Sequence, residues 1–248
     1  PIGSRGLGDV YKRQHTWLSE VICKNINDLY NCGNFIDGKE SGTDNRQVKR
    51  NRELAGDVVD TAATLFMDAF NQDPWLTSFH IKHCTAPMFN EYDAELDDNG
   101  EYKLHCDNSI MNGLRSDLVI LTALNNHTEY EGGDLTIKVG NVDIVLRLNA
   151  GQSVVFDPNL WHTVSPVTKG RRRMCVIWAE TMIQDSWARE MFYDYLDISA
   201  RCLNSIDKDK WFEHGNGTDP ATYMGALRQK ILRRYANPYP NAVNTSKE

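Results

Sequence analysis

His105-Cys106-Asp107 sets an imidazole and a carboxylate two positions apart, and His162 supplies a second imidazole later in the chain. On a strand, residues two apart share a face, so His105 and Asp107 point one way and Cys106 the other. Two imidazoles and one carboxylate make a facial triad, which covers one face of an octahedral metal and leaves three positions open. Open positions suit Fe(II), which can then take a bidentate 2-oxo acid and molecular oxygen. A structural zinc site would instead close all four positions, usually with thiolates. The six cysteines (Cys23, Cys32, Cys84, Cys106, Cys175 and Cys202) are scattered and form no C-x-x-C pair.

An H-x-D pair alone is common, and a solitary strand histidine is ordinarily a satisfied structural residue. His15, His127 and His214 lack partners in the pattern and are read so, as are His80 and His83, which alternation sends to opposite faces. Context distinguishes the triad. Glu131-Gly-Gly-Asp-Leu135 lies between its halves, and Gly151-Gln-Ser-Val-Val-Phe-Asp-Pro158 leads into Trp161-His162. Arg172 follows on the last predicted strand, within the run Arg171-Arg172-Arg173. Its guanidinium can clamp the remote carboxylate of a 2-oxo acid in a bidentate way that lysine matches less specifically. Alternation puts Arg172 with Met174, Val176 and Trp178 on the interior face, while Arg171 and Arg173 read as a solvated basic hairpin.

These groups need a scaffold of strands. From about Phe79 to Glu180 the pattern is one of short strands between turn residues. They fall near Ile81–Cys84, Tyr102–Asp107, Asp117–Leu124, Leu135–Val139, Ile144–Leu148, Ser153–Phe156, Trp161–Ser165 and Arg172–Trp178. Leu135, Ile137 and Val139 alternate with polar residues, Gly140-Asn141 turns the chain, and Ile144, Leu146 and Leu148 alternate again. Eight short strands with few helices between them predict a β-sandwich or barrel, not a βαβ wind. In front, Ser19 caps a helix carrying Val21, Ile22, Ile26, Leu29 and Tyr30 that stops at Gly33. A polar loop Gly38 to Asp44 follows, then a second helix from Asp57 to Phe70, closed by Asp73-Pro74. Behind the strands, a helix from Ile183 to Ile206 sets Trp187, Met191, Tyr195 and Leu196 on one side. Another opens with Asp219 as cap and Pro220 at its first position, and carries Tyr223, Leu227 and Leu232.

The chain has 248 residues, 27 basic against 34 acidic side chains and a net charge of −7, which argues against general nucleic-acid or anionic-membrane binding. Its 41% apolar and 25% charged residues are those of a globular protein. No apolar run approaches the roughly 18 residues of a membrane helix. Scattered cysteines and no visible signal peptide predict reduced thiols in a cytoplasm. Residues 1–14 (PIGSRGLGDVYKRQ) show no apolar periodicity and resemble translated adapter sequence. The expected organisation is therefore a non-native or disordered tail at 1–14, an N-terminal helical segment at 15–75, a core at 76–182 and a C-terminal helical extension at 183–248. The true start lies outside what this stretch reveals.

From about Leu18 onward the sequence resembles the Fe(II)- and 2-oxoglutarate-dependent dioxygenases, and within them the PKHD-type hydroxylases. The blocks that carry the likeness are Phe35-Ile-Asp-Gly38, Gln47-Val-Lys49 with Asn51, and Pro87-Met-Phe-Asn-Glu-Tyr92. It continues through Tyr102-x-x-His105-x-Asp107, Arg115-x-Asp117, Tyr130-Glu-Gly-Gly-Asp-Leu135, His162-x-Val-Ser-Pro-Val-Thr-Lys-Gly-x-Arg172 and Trp178, and into the final helix, Leu227 to Tyr235. The resemblance implies an α+β fold: a double-stranded β-helix (jelly-roll) core flanked by N-terminal and C-terminal helices. His105 and Asp107 would lie near its second core strand, His162 on the seventh and Arg172 on the eighth. By the same resemblance His105, Asp107 and His162 are the metal ligands and Arg172 the 2-oxoglutarate residue. Fe(II), 2-oxoglutarate as cosubstrate and L-ascorbate are the implied cofactors. Asp134 stands where the family more often has Glu, and Lys39-Glu-Ser-Gly-Thr-Asp-Asn45 replaces an aromatic- and Ala-rich loop, so substrate identity transfers least.

The implied reaction converts 2-oxoglutarate and O2 to succinate and CO2 while hydroxylating an unidentified substrate, a small molecule or a peptide. Tyr102, three residues before His105, falls on the opposite face if the strand is regular. A non-catalytic jelly-roll module binding a metal or small ligand is the alternative, and succinate formation separates the two. A nucleic-acid demethylase has only Arg171–Arg173 in its favour. No membrane partner is expected, and self-association into a homo-oligomer stays open.

Overall fold

The computed structural model describes residues 14–41, 49–95, 100–205 and 220–237. The expectations for residues 1–13, Gly42 to Val48, Asp219, His214 and the tail from Pro238 lie outside them. Two compact units divide the described residues: one runs to Ser78 and resumes over His83–Glu180, the other holds Phe79–Lys82 and the residues from Thr181 on.

The first unit is built on two antiparallel sheets. The larger runs in the order Gln14–Thr16, Gln152–Phe156, Leu118–Ala123, Val167–Thr181, Met88–Asp93, Arg52–Ala55, Asn34–Asp37, with Tyr130–Gly132 also on the long strand. The smaller runs Val142–Leu146, Leu135–Val139, His162–Val164, Glu101–His105, Lys49–Arg50. Their inward faces supply one core. Val119, Val154, Phe156, Met174 and Val176 come from the larger sheet, and Leu135, Ile137, Ile144, Leu146 and Val164 from the smaller. Each buried aliphatic side chain stabilises this core by about 1.5–3 kcal/mol, so the sheets are held chiefly by that interface.

Helix Glu20–Cys32 starts where Ser19 Oγ accepts the Ile22 N–H at 3.3 Å and buries Cys23, Ile26 and Tyr30. Helix Val58–Phe70 buries Ala62, Phe66 and Phe70. Pro74–Thr77 makes one further turn, begun by Asp73 accepting from Leu76 N–H at 3.0 Å. The front segment, expected to be helical, also contributes strands Asn34–Asp37, Lys49–Arg50 and Arg52–Ala55, and the first strand opens at Gln14, inside the stretch set aside as foreign. Met88–Asp93 was likewise not expected as a strand. Its outward residues Glu91 and Asp93 are charged yet buried, paired with Arg52, Arg171 and Arg173. With Asn90 on one face and Glu91 and Asp93 on the other, polar residues on both faces hide the period-two signal.

The second unit packs helices Ser186–Ser205 and Pro220–Tyr235 through Ile183, Ala188 and Phe192, against which Tyr195, Leu196, Ile231 and Leu232 lie. Trp187, expected inside, is 69% exposed. The buried stripe passes through Ala188 and Phe192, four apart, and Trp187 sits about 100° round the helix from Ala188. Tyr223 and Leu227 are also exposed, since Pro220–Tyr235 packs through Ile231 and Leu232 instead.

Candidate active site

His105 closes the strand Glu101–His105, His162 opens the strand His162–Val164, and the two stand directly opposite one another in the antiparallel ladder. Two steps on, Val164 faces Tyr102, so the three residues His162–Val164 span the four residues Tyr102–His105 of the other strand. That irregularity is a β-bulge, which re-aims side chains along the bulged strand. It turns Tyr102 onto the side of His105, where the rings stack with centroids 3.5 Å apart. Tyr102 therefore lines the site, contrary to the regular alternation expected for it.

Asp107 lies just past the strand end, tied by its N–H to Pro158 O at 3.1 Å. Its Oδ1 sits 3.6 Å from His105 Nε2 and 3.7 Å from His162 Nε2. Both histidines present Nδ1 to a backbone carbonyl, His105 to Lys103 O at 2.6 Å and His162 to Leu160 O at 2.8 Å. Those carbonyls accept a hydrogen bond from Nδ1–H, which leaves each Nε2 lone pair directed at Asp107. Trp178 Nε1–H donates to the other carboxylate oxygen, Oδ2, at 2.9 Å. The three ligand atoms lie within 4.8 Å of one another.

His105 Nε2 is buried and has no hydrogen-bond partner. An orphaned buried acceptor is costly, and a cation held at Nε2 removes that cost. Burial, then the neighbouring His162, pushes the His105 pKa down to about 3, so the ring is neutral and its lone pair free. Burial raises the Asp107 pKa, opposed by His162 and the Trp178 hydrogen bond. Two imidazoles presenting Nε2 and a carboxylate short of positive charge fit a divalent metal with oxygen and nitrogen preference.

Arg172 lies on the long strand opposite Tyr92, 3% exposed, with its guanidinium 5.0 Å from the centre of the Tyr92 ring. The phenols of Tyr92 and Tyr130 lie beside that guanidinium and feel its charge. Burial pushes the Tyr92 phenol up to about 12 and raises that of Tyr130, so both are neutral acceptors with an O–H of their own to donate. Among the described residues no carboxylate pairs with Arg172. Gly133 explains the Gly-Gly turn here. At φ +67° it lies so close that a Cβ would come 2.8 Å from Arg172 Cδ.

Arg171 and Arg173 take the other face, as alternation required. They are not equally solvated. Arg171 is half exposed and pairs with Asp93 at 2.8 Å. Arg173 is largely buried: its Nε donates to the fully buried Glu91 at 2.6 Å, and its guanidinium lies over Tyr30. The basic-hairpin reading fails for Arg173 because Glu91 demands a buried cation. His127 also has a partner, Asn149 Oδ1 at 2.8 Å.

The cavity between the sheets brings the triad and Arg172 together, walled by Val119, Leu121, Leu135, Phe156 and Val164 and lined by Tyr92, Tyr102, Asn108 and Met111. Three further polar residues, Ser41, Lys49 and Asn90, line it as well and were not marked by their spacing. Tyr130 was also missed; its place beside the Gly-Gly turn was the available signal.

Residues 87–180 match the family model described as the 2OG-Fe(II) oxygenase superfamily. A PKHD-type hydroxylase of Picosynechococcus sp. is 33% identical over 174 residues, covering 68% of this chain and 77% of that protein. One from Paracoccus denitrificans is 30% identical over 213 residues, covering 82% and 88%. Among solved structures, a Pseudomonas putida prolyl-4-hydroxylase superposes with a TM-score of 0.49 at 13% identity, covering 73% of this chain and 100% of that one.

Proposed function

Since the chain belongs to the PKHD-type hydroxylases of the 2OG-Fe(II) oxygenase superfamily, and is thus a 2-oxoglutarate-dependent dioxygenase, we propose that His105, Asp107 and His162 hold its iron and Arg172 its 2-oxoglutarate. One observation carries the reading: a buried guanidinium with no acidic partner among the described residues shares a cavity with a converged triad whose His105 Nε2 is orphaned. A buried cation needs an anion, and a dicarboxylate spanning from the metal to Arg172 supplies one. The two packed antiparallel sheets support a jelly-roll for residues 76–182.

Bound at the triad, Fe(II) supplies oxidative chemistry that couples decarboxylation of 2-oxoglutarate to hydroxylation of a C–H bond, with succinate and CO2 as products. L-Ascorbate is typical of the family. The chain's own residues do the positioning. Lys103 O and Leu160 O fix the imidazole tautomers, and Trp178 holds Asp107 to one ligating oxygen. Tyr92 and Tyr130 hold Arg172 level with the remote carboxylate, while the apolar walls keep water from the reacting centre. The substrate is a small molecule or a peptide. That none of the six cysteines is joined in a disulfide supports a cytoplasmic setting.

The test is succinate formation from 2-oxoglutarate with Fe(II) and ascorbate, compared between the protein and Arg172→Leu, then a screen for compounds that stimulate it. Turnover lost with Arg172 supports the reading. Metal binding without any succinate would favour the binding module.

A further inference from the structure

The triad and the Arg172 pocket leave one polar corner of the cavity unexplained. Lys49 and Asn90 line it, one from each sheet, and are 6% and 5% exposed. They meet where the chain passes from the smaller sheet at Lys49–Arg50 to the larger at Arg52–Ala55. Lys49 Nζ donates to Ser41 Oγ at 2.8 Å and to Glu53 Oε1 at 2.5 Å. An ammonium has three donors, and the third has no acceptor among the described residues. Asn90 Oδ1 accepts from Asn51 Nδ2 at 2.6 Å, whereas the Asn90 side-chain N–H groups have no acceptor there either. Two nine-tenths-buried donors thus look into the cavity with nothing to bond, the arrangement natural structures avoid unless a ligand completes it.

Charge decides what kind of acceptor fits. Glu53, itself 5% exposed, already neutralises Lys49. A divalent metal together with Arg172 likewise balances Asp107 and a dicarboxylate. A further anion would enter a buried site with no countercharge left and would crowd Glu53. A neutral carbonyl satisfies both donors at no such cost.

We propose that Lys49 and Asn90 form the substrate subsite, and that it takes a neutral amide-type carbonyl in preference to a carboxylate or phosphate. This rests on the assignment of the triad and Arg172 to metal and 2-oxoglutarate. The experiment uses the Zn(II)-loaded full chain with 2-oxoglutarate, titrated with N-methylacetamide and separately with acetate. The readout is the side-chain amide resonance of Asn90. N-Methylacetamide should shift it saturably, with acetate at least tenfold weaker. Because Lys49→Met alone strands the Glu53 charge, Lys49→Met/Glu53→Gln is the variant of choice, and it should weaken the amide at least tenfold. Acetate binding as tightly as the amide, no shift with either probe, or an unaltered titration in the double variant overturns the proposal. So does loss of 2-oxoglutarate affinity in that variant, which would assign Lys49 to the cosubstrate. Failure of the underlying reading shows separately, as undiminished 2-oxoglutarate binding in Arg172→Leu.

Discussion

Three adjacent arginines on one strand should separate cleanly into binding and stability effects. Arg172→Leu removes a buried guanidinium whose neighbours are two neutral phenols, so it strands no anion in the ligand-free protein. Its removal should leave folding stability unchanged or slightly raised, since replacing buried charge by apolar volume is often neutral. Binding is another matter. Losing one partner of a buried charged pair costs about 3–5 kcal/mol, and each 1.4 kcal/mol is tenfold, so 2-oxoglutarate should bind roughly 10²- to 4 × 10³-fold more weakly. Arg173→Ala reverses the pattern. It leaves Glu91, fully buried, with Arg52 as its remaining ion-pair partner among the described residues, and opens a space over Tyr30. The expected destabilisation is about 2–4 kcal/mol, moderated by Arg52, with 2-oxoglutarate affinity unaltered. Arg171→Ala, half exposed, should cost no more than about 1 kcal/mol. Urea unfolding measures the first quantity and calorimetric titration of 2-oxoglutarate into the Mn(II)-loaded protein the second. If Arg173→Ala loses affinity and Arg172→Leu does not, the strand faces are assigned the wrong way round.

Asp107→Ala should abolish metal-induced stabilisation, which for the parent protein at a hundredfold excess over Kd amounts to about 2.7 kcal/mol, while leaving metal-free stability intact; a thermal melt with and without Mn(II) reads both, and a variant still stabilised by metal removes Asp107 from the ligand set. Trp178→Phe deletes the bond to Asp107 Oδ2 and should weaken metal binding by about 10–100-fold, the usual effect of losing a ligand's own support; equal affinity by competition with a chromophoric chelator would show that Asp107 is held otherwise. Tyr130→Phe should weaken 2-oxoglutarate by roughly 2- to 10-fold, the worth of one hydrogen bond. The same change should leave pyruvate, which has no remote carboxylate, unaffected; an equal loss for both acids would mean Tyr130 acts on the metal end.

The site's ingredients were legible as spacing. His105 and Asp107 two apart, His162 following a turn-rich run, and Arg172 on the inward side of an alternating strand are all local facts, because strand period alone decides which face a side chain takes. The helices at Glu20–Cys32 and Val58–Phe70 were legible for the same kind of reason, through caps and apolar stripes. Tyr102 could not be placed this way. Its orientation depends on a bulge created by pairing with His162–Val164, and a bulge belongs to two strands at once. Nor could Met88–Asp93 be recognised, since the arginines that make Glu91 and Asp93 burial tolerable come from distant strands. Chain order says nothing of those partners. What the amino-acid sequence determined alone was the donor set and the faces of its strands. What only the tertiary structure decided was which charges are compensated: Arg173 by Glu91, Lys49 by Glu53, and Arg172 by no carboxylate of the described residues. Compensation is a matter of separation across a low-dielectric interior, and only folding sets that separation.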